Sequence, residues 1–279
     1  MGQKPVSGDS GLVINEEPPS YRSAGGGRGS SSTAVRNTAR VAGVWYLALA
    51  LAGVFGFLLI RPQIYVAGDP TATLANLVDH EGVARLGLVF ELALVVTQAL
   101  AAVWFYKLFR SINQTAAFAV AVFGMANAIA VMASAVFMAT ALTVAGDASL
   151  APGGDVAAAT QLMYQLSSTC WGVGSLFFGL WLIPMGHIAA SSGRMPKWLG
   201  RVLIIGGCGY LVSGFVSYGL AGAPSWLVDG LAIPATIGEL WMIGYLLTKG
   251  LRDSAEETQT PSVEVSAAGV SQTSDWRAP

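Results

Sequence analysis

The sequence predicts an all-α membrane protein, a polytopic bundle of six transmembrane helices with both termini cytoplasmic. Three observations carry that prediction. Only 11% of the 279 residues are charged and 53% are hydrophobic, with a mean hydropathy of +0.57, whereas ordinary soluble domains carry roughly 25% charge. Six apolar runs are each long enough to cross the bilayer, whose hydrocarbon core is about 30 Å thick and takes about 20 helical residues. Lys and Arg gather at alternate ends of these runs, as short cytoplasmic loops demand.

The first run spans about Val41 to Ile60, behind a polar N-terminal stretch that includes Gly25-Gly26-Gly27 and Ser30-Ser31-Ser32. That stretch is too long for a signal-peptide n-region, so no cleaved signal is expected. The second run covers about Ala84 to Tyr106, the third Ala116 to Val144 and the fourth Ala158 to Met185. The last pair are Trp198 to Leu220 and Trp226 to Leu247. Helices are expected, because backbone groups in lipid must be satisfied within the segment and the runs lack the alternation of barrel strands. The expected domains are a disordered cytoplasmic tail over 1–39, a six-helix domain over 40–249 and a second disordered tail over 250–279. Both tails are Ser/Gly/Glu-rich and poor in aromatics, too polar to offset their ordering entropy.

Orientation follows from the charges. Arg36, Arg40, Lys107, Arg110, Arg194, Lys197, Arg201, Lys249 and Arg252 share the side of the termini. Arg61 and Arg85 alone fall opposite, among Asp69, Asp79, Glu81, Asp147, Asp155 and Asp229. The cell membrane is the expected location. Trp104, Trp181, Trp198, Trp226 and Trp241, with Tyr46, Tyr65 and Tyr106, mostly fall near span ends and read as an interfacial aromatic belt.

In the outer loops Val-Ala-Gly-Asp occurs twice, at Val66 to Asp69 and Val144 to Asp147. It reads as helix punctuation, Gly at a left-handed C-cap and Asp opening the next element. Asp69-Pro70 then starts a short helix on the outer surface with Leu74, Leu77 and Val78 on one face. Glu81 and Arg85 have the spacing of a helical ion pair, and Asp155 caps span four.

An ionisable residue inside a span costs about 2.5 kcal/mol or more at its centre, and so faces protein or water. Glu91 in span two and Glu239 in span six qualify, at depths about 10 Å apart by helical rise. Gln98 shares the face of Glu91, and Asn127 and Gln165 add hydrogen-bonding groups. Glu91, Gln98, Asn127, Gln165 and Glu239 thus form the candidate intramembrane polar site. Two readings stand beside each other. One is a proton or cation step at a protonatable Glu near Pro234, whose ring frees the Gly230 carbonyl. The other is a neutral Glu hydrogen-bonded across a helix interface, since no Lys or Arg lies within a span as counter-ion. Small residues at Gly209, Ser213, Ser217 and Ala221, and at Ser175 and Gly179, read as close helix packing. Pro184 reads as a kink in span four, and His187 as an interfacial residue.

Several classes drop out. With fifteen basic and sixteen acidic residues and a formal net charge of -1, no global basic field exists, so no nucleic-acid partner is expected. Cys170 and Cys208 are too few for a disulfide framework or thiolate metal site. His80 and His187 fall on opposite sides and cannot pair on haem. No catalytic residue, cofactor or metal site is expected, no P-loop or HExxH motif occurs, and the chain is not expected to be an enzyme. The expected partners are the lipid bilayer and an unidentified membrane protein or small solute.

Arg40-Val41-Ala42-Gly43, Gly68-Asp69 with Thr73, Asn76, His80 and Arg85, and Lys107 to Asn113 form one set of residues. Phe177-Phe178-Gly179-Leu180, Gly186, Ser192-Gly193, Pro196, Leu199-Gly200, Gly209-Tyr210-Leu211, Pro234 and Gly238-Glu239-Leu240 form another. With these the chain resembles the bacterial domain-of-unknown-function family 4386, six-helix integral membrane proteins, over about residues 38 to 250. The resemblance implies a fold and a membrane location but carries over no activity and no binding residue. The long N-terminal stretch departs from the family. The resemblance draws attention to Thr73, Asn76, His80 and Arg85 as a candidate outer-surface cluster, with capping and loop packing as the alternative. The expected function is a non-enzymatic membrane sensor, scaffold or regulatory bundle. The alternatives are a small-solute or proton-coupled transporter using Glu239 and Glu91 and, more remotely, an intramembrane enzyme.

Overall fold

The computed structural model describes residues 1–2 and 27–252. Helix α1 runs from Gly27–Gly53, widens into a π-helical stretch over Val54–Ile60 and ends in the turn Arg61–Ile64. The others are α2 Pro70–Asp79, α3 Glu81–Phe109, α4 Gln114–Gly146, α5 Val156–Ser191, α6 Lys197–Gly219 and α7 Ser225–Thr248. Six of these are long and apolar enough to cross a membrane. The multi-pass helical bundle is therefore the fold, and each expected span lies inside one of these helices, except that Leu220, the expected end of the fifth, stands one residue past α6. The expected tails over 3–26 and 253–279 lie outside the described residues, whereas 27–39 is helical and extends α1 where the composition suggested a tail.

Each long helix packs on its neighbours in sequence, and α1 closes against α7, so the spans form a ring in chain order. The interior is filled by side chains. Tyr46, Phe105 and Trp181 meet edge-on with centroids 5.3 to 5.8 Å apart, and all three are fully buried. Tyr46 and Trp181 are thus core anchors and not part of an interfacial belt. Trp198 and Trp226 are exposed, and Trp104 and Trp198 carry Lys107 and Arg201 over their rings at 4.4 and 4.6 Å. That arrangement fits long cationic side chains reaching from apolar stems toward a polar interface.

Glycine sets the tightest crossings. A Cβ on Gly179 would stand 2.8 Å from the Gly207 carbonyl oxygen, and one on Gly186 would stand 2.6 Å from that of Gly200. Gly200, Gly207 and Gly214 thereby serve α5, while Gly206, Gly209 and Ser213 turn to α7. The small-residue stripe is helix packing, as expected, except that Ser217 and Ala221 are exposed.

The caps form where short polar side chains precede the helices. Asp69 accepts from Ala72 N at 2.9 Å ahead of Pro70, Asn113 from Ala116 N at 3.0 Å and Asp155 from Ala158 N at 2.9 Å. The two Val-Ala-Gly-Asp copies diverge. Gly68 adopts the left-handed φ of 77° before Asp69, whereas Gly146 ends α4 within the helix and Asp147 opens the turn Ala148–Leu150. Helix α2 lies against α5, burying Thr73 and Leu77 and leaving Val78 exposed.

Candidate functional site

The best-connected polar site lies in the half of the bundle away from the termini. The Ser134 hydroxyl of α4 donates to Glu91 Oε1 at 2.5 Å, and the Trp171 indole N–H of α5 donates to the same oxygen at 2.6 Å. Ser134 and Ser167 hydroxyl oxygens are 2.6 Å apart. Ser134 has spent its one proton on Glu91, so Ser167 is the donor between them. Arg61 Nη2 in turn donates to Ser167 and Ser168 at 2.9 Å each and to the Tyr164 carbonyl at 3.3 Å. A guanidinium and a carboxyl are therefore joined through two hydroxyls, in one direction, across α1, α3, α4 and α5. Arg61 and Glu91 are 6% and 3% exposed.

Arg61 corrects the expectation that no Lys or Arg lies within the bundle. The apolar run stops at Ile60 and Arg61-Pro62 reads as a loop, but the helix continues. Pro62 falls in the last turn, directly after the π-helical stretch, and that stretch resets which residues face inward. The guanidinium lies 5.5 Å from the Phe57 ring, which packs on Trp171 at 4.6 Å.

The second carboxyl stands apart. Tyr46 donates to Glu239 Oε1 at 2.5 Å, and Tyr46 packs on Phe105, about 21 Å beyond Glu91 along α3 at 1.5 Å per residue. Glu91 and Glu239 thus occupy separate layers, farther apart than their sequence depths suggest. Between those layers lies Gln98, fully buried, with neither amide atom partnered among the described residues. Asn127 is buried on α4, its oxygen 3.6 Å from where a Gly174 Cβ would stand. Gln165 does not belong to the site: it is exposed and accepts from the Tyr65 hydroxyl at 2.7 Å.

The outer-surface residues separate into local tasks. Thr73 bonds the Val66 amide and carbonyl at 3.1 and 3.2 Å, and Asn76 donates to the Ile64 carbonyl at 3.4 Å, tying α2 to the end of α1. Arg85 pairs with Glu81 at 2.6 Å on an exposed face. His80 is exposed at the start of α3 and its side chain makes no cap bond. Cap and loop packing account for Thr73, Asn76 and Arg85. Among the described residues no group of three His, Cys, Asp or Glu stands close enough to hold a metal ion.

Arg61, Ser134, Ser167, Trp171 and Tyr46 are the residues that sequence reasoning missed. Ser134 falls two helical turns beyond Asn127 on the same face, which is the signal that could have found it. His187, taken as interfacial, is exposed and lines an apolar surface groove with Phe123, Pro184 and Ile204.

An uncharacterized protein of Archaeoglobus fulgidus is 30% identical over 89 residues, covering 32% of this chain and 51% of that relative. The chain thus spans about half the length of the curated relative it matches. No solved structure matches it. The family described as "Domain of unknown function (DUF4386)" matches residues 41–250, the whole ring from the first inward turn of α1 to the end of α7, and the chain belongs to that family.

Proposed function

We propose that the protein is a non-enzymatic bundle of the cell membrane, with cytoplasmic termini, that senses or regulates through a rearrangement of its core. The observation that supports this reading is the Glu91 lock. One carboxyl oxygen receives Ser134 and Trp171, and through the two serines it reaches Arg61. A change of charge there alters contacts on four helices at once, and buried networks respond as units because every partner must find a replacement. The basic residues at the end carrying the termini support the orientation.

Hydrogen exchange of the full chain in nanodiscs, compared between mildly acidic and mildly alkaline pH, tests the reading. The wild type is expected to change protection around 57–61, 88–95, 131–135 and 164–171, while Glu91→Gln stays in one state at both pH values. A wild type with no pH-dependent protection, or a Glu91→Gln protein that follows it, refutes the lock.

A second reading, proton-coupled or small-solute transport, rests on Gln98. Its two unpartnered amide atoms sit between the carboxyl layers, where hydrogen-bonding groups would be needed to carry a proton or a polar solute from one layer to the other. Proton flux in proteoliposomes, lost in Glu239→Gln and in Glu91→Gln while both proteins stay folded, would establish it. Equal flux in wild type and variants would remove it.

A further inference from the structure

Helix α7 is only half incorporated into the ring. None of residues 225–234 is buried, and the bonds and close approaches of this stretch run to α6: Ser213 donates to the Val228 carbonyl at 3.1 Å, and Gly209 lies against the Leu231 carbonyl. Helix α1 turns the other way. Near the termini it meets α7, with Gly43 against Leu246 and Leu247, but farther along Phe57 and Arg61 engage α5 instead. Among the described residues no hydrogen bond or ring contact joins α1 to α7 beyond the Tyr46–Glu239 pair toward that end. The two helices therefore diverge, and the ring is open sideways between them in the half away from the termini.

The residues that face this opening have a specific chemistry. Phe57, Trp171, Phe178, Tyr210 and Glu239 are all half-buried. Their rings form two pairs, Phe57 on Trp171 at 4.6 Å and Phe178 on Tyr210 at 5.5 Å, with Trp171 and Phe178 two turns apart on α5. At the inner end stands Glu239. Its Oε1 accepts from the Tyr46 hydroxyl, while among the described residues its Oε2 has no partner, and that oxygen is not sealed from the surface. No basic side chain pairs with it among the described residues.

We infer that this opening is a binding site for an amphipathic amine that enters from the bilayer, its ammonium group on Glu239 Oε2 and its tail along the aromatic wall. A carboxylate without a protein counter-ion favours a cation. Ring faces favour a cation over an anion. An opening toward lipid admits a ligand whose remainder is apolar. A bare metal ion is disfavoured, since it needs several oxygen ligands and Glu239 stands as a single carboxylate here. The inference does not rest on the Glu91 lock, because its cation site is the other carboxyl, although Trp171 of the lock also lines the wall.

Equilibrium binding of radiolabelled dodecylamine to the full chain in zwitterionic nanodiscs tests it, with empty nanodiscs subtracted and unlabelled dodecanol as competitor. The wild type is expected to bind saturably with one site per chain, and dodecanol to compete at least tenfold more weakly. Glu239→Gln is expected to lose tenfold or more in affinity while eluting and melting as the wild type does. Phe178→Ala, which removes the ring that packs on Tyr210, provides a second variant that leaves the carboxylate in place and is expected to weaken binding by removing part of the wall. Retention of binding by Glu239→Gln, competition by dodecanol at equal concentration, or uptake no greater than by empty nanodiscs overturns the assignment.

Discussion

Gly207→Ala tests the packing that holds the aromatic wall in place. A Cβ at Gly207 would stand 2.6 Å from the Gly179 carbonyl oxygen and 2.8 Å from Ile183 Cγ1. Ordinary contact begins near 3.4 Å, so the helices must separate by about 0.8 Å at a point where the obstacle is backbone and cannot rotate away. Overpacking costs about 1–3 kcal/mol, and this geometry belongs at the upper end. Loss of close Cα–H···O contacts between the helices adds about 0.5–1 kcal/mol. Ala exceeds Gly in helix propensity by about 1 kcal/mol, which offsets part of this. The expected net loss is about 2–3 kcal/mol, read as a shift in a reversible unfolding titration in mixed SDS micelles. Gly244→Ala is the control, because a Cβ there meets nothing within 4 Å. Equal stability of the two variants would refute the reasoning, since it would mean that α5 and α6 do not touch through backbone at this crossing.

Three further outcomes follow from the lock, the loops and the charges. Ser134→Ala removes the bridge between Glu91 and Ser167 and is expected to destabilise by about 1–3 kcal/mol, the cost of leaving buried partners unsatisfied; Ser134→Ala in a Glu91→Gln background should cost less, and full additivity in the double-mutant cycle would deny that the groups are coupled. Asp147 is held below its ordinary carboxyl value by the Ser149 hydroxyl and amide, so its contribution to the Ala148–Leu150 turn is present above the unfolded value of about 3.9 and is lost as pH falls through the lower folded value; amide protection at Ser149 constant from neutral pH to about 5 checks this, and a loss within that range would contradict it. In a chain whose Cys170 and Cys208 are replaced by serine, Ser149→Cys should react with a membrane-impermeant maleimide on intact cells and Ser191→Cys only after permeabilisation; the reverse pattern would invert the topology.

The spans were legible because a long apolar run in lipid has one way to satisfy its backbone, and the outer turns because Asp69-Pro70 and Asp155 cap by rules that act within a few residues. The candidate site was legible only in part. Glu91, Gln98, Asn127 and Glu239 are inside the bundle as their rarity in apolar runs suggests, with Glu239 less deeply buried than the rest. Gln165 is not, because the face of a helix in a ring depends on which neighbours flank it, and a nearly uniform apolar pattern does not encode that. Arg61 was hidden by its own chemistry. A charge followed by proline marks the end of a span in any window average, yet its Nη2 finds serines on α5 and, through them, the Glu91 carboxyl, while among the described residues its buried Nη1 has no partner. The rotation that aims it there comes from a π-helical stretch with no marker in Val54 to Ile60.

Trp171 connects the two halves of the functional argument. Its indole N–H holds Glu91, and its ring packs on Phe57, over which Arg61 lies. The same ring is half-buried and belongs to the wall of the opening whose inner end is Glu239. A tail lying along that wall would press on a side chain of the lock, so an occupant would bind two arrangements of the lock with different affinity. A ligand shifts an equilibrium only through such a difference, and the linkage is reciprocal: whatever the occupant does to the lock, the lock does to the occupant's affinity. On the proposed reading, the contacts around Trp171 would supply a route by which a molecule drawn from the bilayer reaches a polar network spanning four helices. That is the physical requirement of a membrane sensor, and it needs no path through the bundle from one side of the bilayer to the other.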